Sequence, residues 1–157
     1  MDSTADTPKP RSGITGYVAL LGRPNTGKST LVNTVLNRHL AAVSDKPQTT
    51  RKYLLAIYTD DEAQILFLDA PGVHVSKIAI DEAMDNSVSR VLEDADLLVC
   101  MVDPSREPGE EDALTAQRAR ANGKPAIIAI NKVDVATPEQ IATSLGFYRQ
   151  YLPDAHC

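Results

Sequence analysis

The sequence is short of cysteine, of basic charge and of long apolar runs. Its two cysteines, Cys100 and Cys157, form neither a metal-ligand spacing nor a disulfide framework. Cys100 lies inside an apolar run, where a thiol serves as a small core side chain rather than a reactive group. Lys and Arg number 16 against 21 Asp and Glu, for a net charge of −5 and a pI of about 5.1. That balance excludes nucleic-acid binding through bulk charge, but not a small anion held locally by a loop and one lysine. No apolar run approaches the length of a membrane span. Residues 1–14 carry Asp2, Asp6, Pro8 and Pro10 around no apolar core, which excludes a signal peptide and predicts a flexible tail on a cytoplasmic protein. Internal repeats and low-complexity segments are also missing.

What remains is ordinary for a globular protein: 157 residues, 43% hydrophobic and 24% charged, enough for one domain with a buried core. Short apolar runs alternate with helical spacings. Strands are predicted over 16–21, 53–59, 64–68, 97–102 and 126–130, and helices over 30–36, 81–92, 110–121 and 137–148. The turn Asp60-Asp61-Glu62 predicts a hairpin between the second and third strands. The run 97–102 is apolar throughout, which suits a strand covered on both faces. Thr137 followed by Pro138 predicts a helix start. The alternation predicts an α/β, three-layer fold with a mostly parallel sheet and one antiparallel hairpin strand. Ligands of such sheets sit beyond the carboxyl ends of the strands.

Gly22-Arg23-Pro24-Asn25-Thr26-Gly27-Lys28-Ser29 lies at such an end and matches the phosphate-loop pattern G-x-x-x-x-G-K-[ST] in full. Backbone N–H groups of this loop, through Thr30, can wrap a polyphosphate at a helix N-terminus. Lys28 can reach the outer phosphates, and Ser29 can ligate Mg²⁺. Asp69-Ala70-Pro71-Gly72 follows another apolar strand. Alone it reads as a Pro-Gly turn; beside a phosphate loop, Asp69 can hold Mg²⁺ and the Gly72 N–H can meet a γ-phosphate. Asn131-Lys132-Val133-Asp134 follows a third strand. Alone it reads equally as a charged helix entry. As a base site, Asp134 would pair with N1–H and the 2-amino group of guanine, which adenine lacks, while the Lys132 stem lies over the ring and Asn131 tethers the loop. In the irregular stretch 37–51, Thr50 rather than Thr49 is the candidate to bring a hydroxyl to Mg²⁺.

In this order the four segments resemble the translation-factor-related GTPases. G-R-P-N-x-G-K-S, P-Q-T-T-R at 47–51, D-x-P-G and N-K-V-D are similar to the Era family of bacterial GTPases, over residues 15–154. The resemblance implies a P-loop G domain that binds GTP and GDP with Mg²⁺ and hydrolyses GTP as a switch. Lys28, Thr50, Gly72 and Asn25 would be the catalytic set, and Ser29, Thr50 and Asp69 the metal set. It also implies a role in small ribosomal subunit assembly with 16S rRNA, and a possible peripheral inner-membrane association. Asn25 either helps hold a K⁺ ion near the phosphates, as in relatives with G-x-P-N, or only shapes the loop.

The sequence departs from that family in places. Ala70 stands where Thr is usual, and Val73 where Ras-like enzymes carry a water-orienting glutamine. His74 reads as a loop residue rather than a general base. A closing strand and helix and an RNA-binding KH domain are expected after residue 157, so the chain reads as a C-terminally truncated G domain, residues 15–157, with the edge of its strand 126–130 uncovered. Two functions follow: a slow GTPase switch, or a guanine-nucleotide-binding module without useful turnover.

Overall fold

The computed structural model describes residues 13–36, 54–69 and 81–157. Among the described residues, five strands and four helices follow one another as β1 (Ile14–Leu21), α1 (Lys28–Val35), β2 (Leu54–Thr59), β3 (Ala63–Asp69), α2 (Asp81–Asp94), β4 (Leu97–Val102), α3 (Glu110–Asn122), β5 (Ala126–Ile130) and α4 (Pro138–Tyr151). The strands form one sheet in the order β2-β3-β1-β4-β5. β1 is its centre, parallel to β3 on one side and β4 on the other. β4 and β5 are parallel, and β2 is antiparallel to β3, as the hairpin turn predicted. Asp60 makes that turn by accepting the N–H groups of Glu62 and Ala63 at 2.8 Å each.

Alternation along the strands sorts the core into two faces. Ala19 and Leu21 of β1 and Leu98, Cys100 and Val102 of β4 pack against α2, α3 and α4 through Val91, Ala116 and Tyr148. Leu20, Val99 and Met101 point to the other face and meet Val32 of α1 and Phe67. Each fully buried leucine or valine among them contributes about 1.5–3 kcal/mol over leaving it in water. Cys100 is fully buried as well. Burial pushes its thiol up to about 12, consistent with a core role.

Helix boundaries follow local chemistry. α4 starts in a capping box: Gln140 N–H donates to Thr137 Oγ1 at 3.3 Å, and Thr137 N–H donates to Gln140 Oε1 at 2.8 Å. α3 carries Glu110, Glu111 and Asp112 in its first turn and ends at Gly123 with φ 70°.

Two expectations need correction. β1 begins at Ile14, two residues before the start expected at residue 16. Pairing with Ala63 and Gln64 extends the strand outward through Ile14 and Thr15, and Asp96 fastens Tyr17 by accepting its N–H at 2.8 Å. The edge of β5 is also not wholly uncovered. Ile128 N–H donates to His156 O at 2.8 Å and His156 N–H donates to Ala126 O at 3.1 Å, a parallel bridge on its outer side.

Candidate functional site

The loop between β1 and α1 leaves the sheet at Gly22, where φ is 150°. A Cβ there would lie 2.7 Å from Met101 O of the neighbouring strand. At Gly27, φ is 102° and a Cβ would lie 2.1 Å from Asn131 Nδ2. Both glycines are thus required by conformation and by space. Asn25 also takes a left-handed turn, at φ 64°, which a short polar side chain tolerates. The Thr26 hydroxyl donates to Arg23 O at 3.0 Å and is buried. Lys28 closes the loop on itself, its Nζ donating to Gly22 O and Arg23 O at 3.1 Å each.

This loop borders a cavity of about 670 Å³ beyond the carboxyl ends of the strands. Pro24, Asn25, Gly27, Lys28, Ser29 and Thr30 form one side. Asp69, at the end of β3, stands at its base, and Asn131, Lys132 and Asp134, after β5, form the far wall. Three separated segments therefore converge on one cleft. Two of them are joined directly: Asn131 Nδ2 donates to Thr26 O at 2.8 Å, which ties the loop after β5 to the loop after β1. Asn131 is itself aligned by its N–H donating to Val102 O at 2.8 Å. Thr50, Ala70, Pro71 and Gly72 lie outside the described residues, as do Thr49, Val73 and His74.

The electrostatics suit an anion with a cation beside it. Burial lowers the Lys28 ammonium below its ordinary value, against an opposing pull from Asp69. Burial likewise raises the Asp69 carboxyl, against the nearby positive charge of Lys28. Asp69 Oδ1 is buried and has no hydrogen-bond partner among the described residues. An orphaned buried oxygen is costly unless a ligand or ion completes it.

Gly22, Arg23 and Thr26 do not line the cavity. The first and last shape the loop from behind. The Arg23 side chain runs into the fold, where Nη1 lies 3.0 Å from Asp112 Oδ2. Asp112 also accepts Gly109 N–H at 2.9 Å and the Tyr148 hydroxyl at 2.9 Å. Arg23, Asp112 and Tyr148 are all buried. This network anchors the phosphate loop to α3 and α4. Burial, then the charge of Asp112, raises the Tyr148 phenol above its ordinary value, so it stays a donor.

Sequence reasoning missed Asp112 and Asp103. Asp103 directly follows β4 and is 3% exposed. Its Oδ2 accepts Lys132 Nζ at 2.6 Å. Burial alone would raise its carboxyl, but hydrogen bonds from Lys132 and Ser105 outweigh that and hold it below the ordinary carboxylate value. The available signal was positional: like Asp69, Asp103 is an acid at the carboxyl end of an apolar strand. A second cavity, of about 530 Å³, lies at the other end of the sheet near Lys124 and Leu152 and contains none of the motif residues.

Residues 17–132 match the family model of the 50S ribosome-binding GTPases. Two solved Era structures are each 32% identical to the chain and cover 90% of it. One is a variant of Aquifex aeolicus Era bound to GDP and AlF4⁻, at a TM-score of 0.71. The other is Era in complex with MgGDPNP and nucleotides 1506–1542 of 16S ribosomal RNA, at a TM-score of 0.72. The chain spans 49% of the length of each. The G domain of the T. maritima FeoB iron transporter is 23% identical, with a TM-score of 0.59 over 88% of this chain and 83% of that one, a likeness of fold.

Proposed function

The chain belongs to the 50S ribosome-binding GTPase family, and from that premise we propose that it binds GTP with Mg²⁺ in this cleft, hydrolyses it to GDP and phosphate, and works as a switch. The observation that carries the reading is the Asn131–Thr26 bond, which makes a phosphate side and a base side parts of one site. On the base side, Asp134 accepts two hydrogen bonds from guanine; adenine would leave the carboxylate unpaired.

The residues fit Mg²⁺. Ser29 and Asp69 both face the cavity, and Asp69 Oδ1 awaits a partner among the described residues. Bound there, the ion neutralises charge on the phosphate oxygens. On binding, Lys28 exchanges two neutral carbonyls for charged phosphate oxygens, the stronger class of hydrogen bond. Lys28 and the loop amides then stabilise charge that develops as water attacks the γ-phosphate. Asn25, exposed at the cavity rim, is where a K⁺ ion would add to that charge. Equal turnover in Na⁺ and K⁺ buffers would exclude that part.

The deciding experiment is single-turnover phosphate release from GTP with Mg²⁺, beside competition of GTP against ATP. Release with a strong preference for GTP is expected. Binding without release leaves a guanine-nucleotide-binding module, and equal competition by ATP removes the guanine reading. By analogy with the RNA-bound Era structure, we assign the switch to small-subunit assembly in the cytoplasm. Co-sedimentation with small subunits in the presence of a GTP analogue tests this; no co-sedimentation in either nucleotide state would remove the ribosomal role alone.

A further inference from the structure

Lys132 is held at both ends. Its backbone has φ 54°, a left-handed conformation that costs a residue bearing a Cβ. Such strain persists where the surroundings over-determine it. Its ammonium is fixed on Asp103 Oδ2 at 2.6 Å. Asp103 in turn cannot rotate freely: its Oδ1 accepts the Ser105 N–H at 3.1 Å and the Ser105 hydroxyl at 2.5 Å, and the side chain is buried. Between pinned backbone and pinned head, Lys132 lines the cavity wall that it shares with Asp134.

A free lysine would lose its rotamer freedom when a planar ring settled on its stem. It would also be free to place its ammonium on Asp134, two residues along, the carboxylate needed for the base edge. We propose that Asp103 is a positioning residue for the base. It orders Lys132 before the ligand arrives, so that the stem is a preformed support for the guanine ring and Asp134 is left for the exocyclic amine. This rests on the guanine-nucleotide reading of the cleft. Preorganisation of this kind strengthens binding by removing an ordering cost rather than by adding a contact to the ligand.

The test is a double-mutant cycle on GDP affinity, read with a fluorescent GDP analogue on the full chain. Asp103→Asn keeps Oδ1 for Ser105 but removes the charge facing Lys132. Lys132→Met keeps an unbranched stem and removes the ammonium. Each single variant is expected to weaken GDP about tenfold, and the double variant no more than the weaker single, because both break one link. Losses that add in the double variant, or Asp103→Asn binding GDP within about twofold of the parent, overturn the proposal. Ser105→Ala is the second handle should Asp103→Asn fail to fold: about threefold weaker binding with an unchanged melting temperature supports the proposal, and unchanged affinity overturns it. A parent chain that binds neither GDP nor GTP would sink the nucleotide reading and this inference together; a parent that binds, beside an Asp103→Asn variant that binds equally well, removes the inference alone.

Discussion

Asp112→Ala is the substitution that the fold should tolerate least. One carboxylate, fully enclosed, serves the Arg23 guanidinium, the Tyr148 hydroxyl and the first turn of α3. Removing one partner of a buried ion pair costs about 3–5 kcal/mol, because the other charge stays buried without its counter-charge; Arg23 Nη1 would keep the neutral Glu107 O, at 3.3 Å, as an acceptor. The lost cap at Gly109 costs about 1 kcal/mol. The stranded Tyr148 hydroxyl costs about 1 kcal/mol more. These share one group and do not add fully, so a loss of about 4–6 kcal/mol is expected. Against the 5–15 kcal/mol typical of a whole domain, that is a third or more of the total. Urea denaturation followed by far-UV circular dichroism measures it, with an unchanged slope as the check on two-state behaviour. The control is the double variant Arg23→Met with Asp112→Leu, which deletes both charges and should lie within about 2 kcal/mol of the parent. An Asp112→Ala chain within about 1 kcal/mol of the parent would refute the claim that Arg23 depends on this carboxylate.

Gly27→Ala should abolish nucleotide binding, because the new Cβ would displace Asn131 Nδ2 from Thr26 O while the alanine backbone would have to hold φ 102°; isothermal titration with GDP checks it. Mg²⁺-nucleotide affinity should fall on both sides of neutrality. Asp69, raised by burial, takes up its proton at a higher pH than an ordinary carboxylate, so metal affinity declines first on acidification. Lys28, lowered by burial, loses its proton at a lower pH than an ordinary lysine, so phosphate affinity declines early on the alkaline side. Affinity flat across both limbs would contradict these assignments. In thiol titration of the folded chain Cys157 should react at once, and Cys100, its thiol pushed up to about 12 in a closed core, only after denaturation; two equally fast thiols would be inconsistent with the packing.

Much of this was legible in local chemistry. The apolar run of β4 revealed a strand with two buried faces, Thr137-Pro138 marked the start of α4, and Asp60 marked the hairpin. The phosphate loop was legible because its glycines answer to steric demands that few other arrangements make. What could not be read is what long-range packing decides. No pattern in residues 14–21 says that β1 occupies the centre of the sheet. Arg23 stands inside a ligand-binding motif yet points away from the cavity, because its partner lies in α3, distant in sequence. Ile14 is 65% exposed, so apolar periodicity gave no cue to where β1 begins. Asp103 and Asp112 carry no motif, and their partners are set by tertiary contacts alone.

The central place of β1 has a kinetic consequence. Both of its neighbours come later in the chain, and the bond that completes the cleft links residues 105 positions apart. Pairings of such sequence separation are slow to nucleate. The binding site is then expected among the last features to mature. Nucleotide should accordingly slow global unfolding while leaving the refolding rate unchanged, because it recognises only the finished chain.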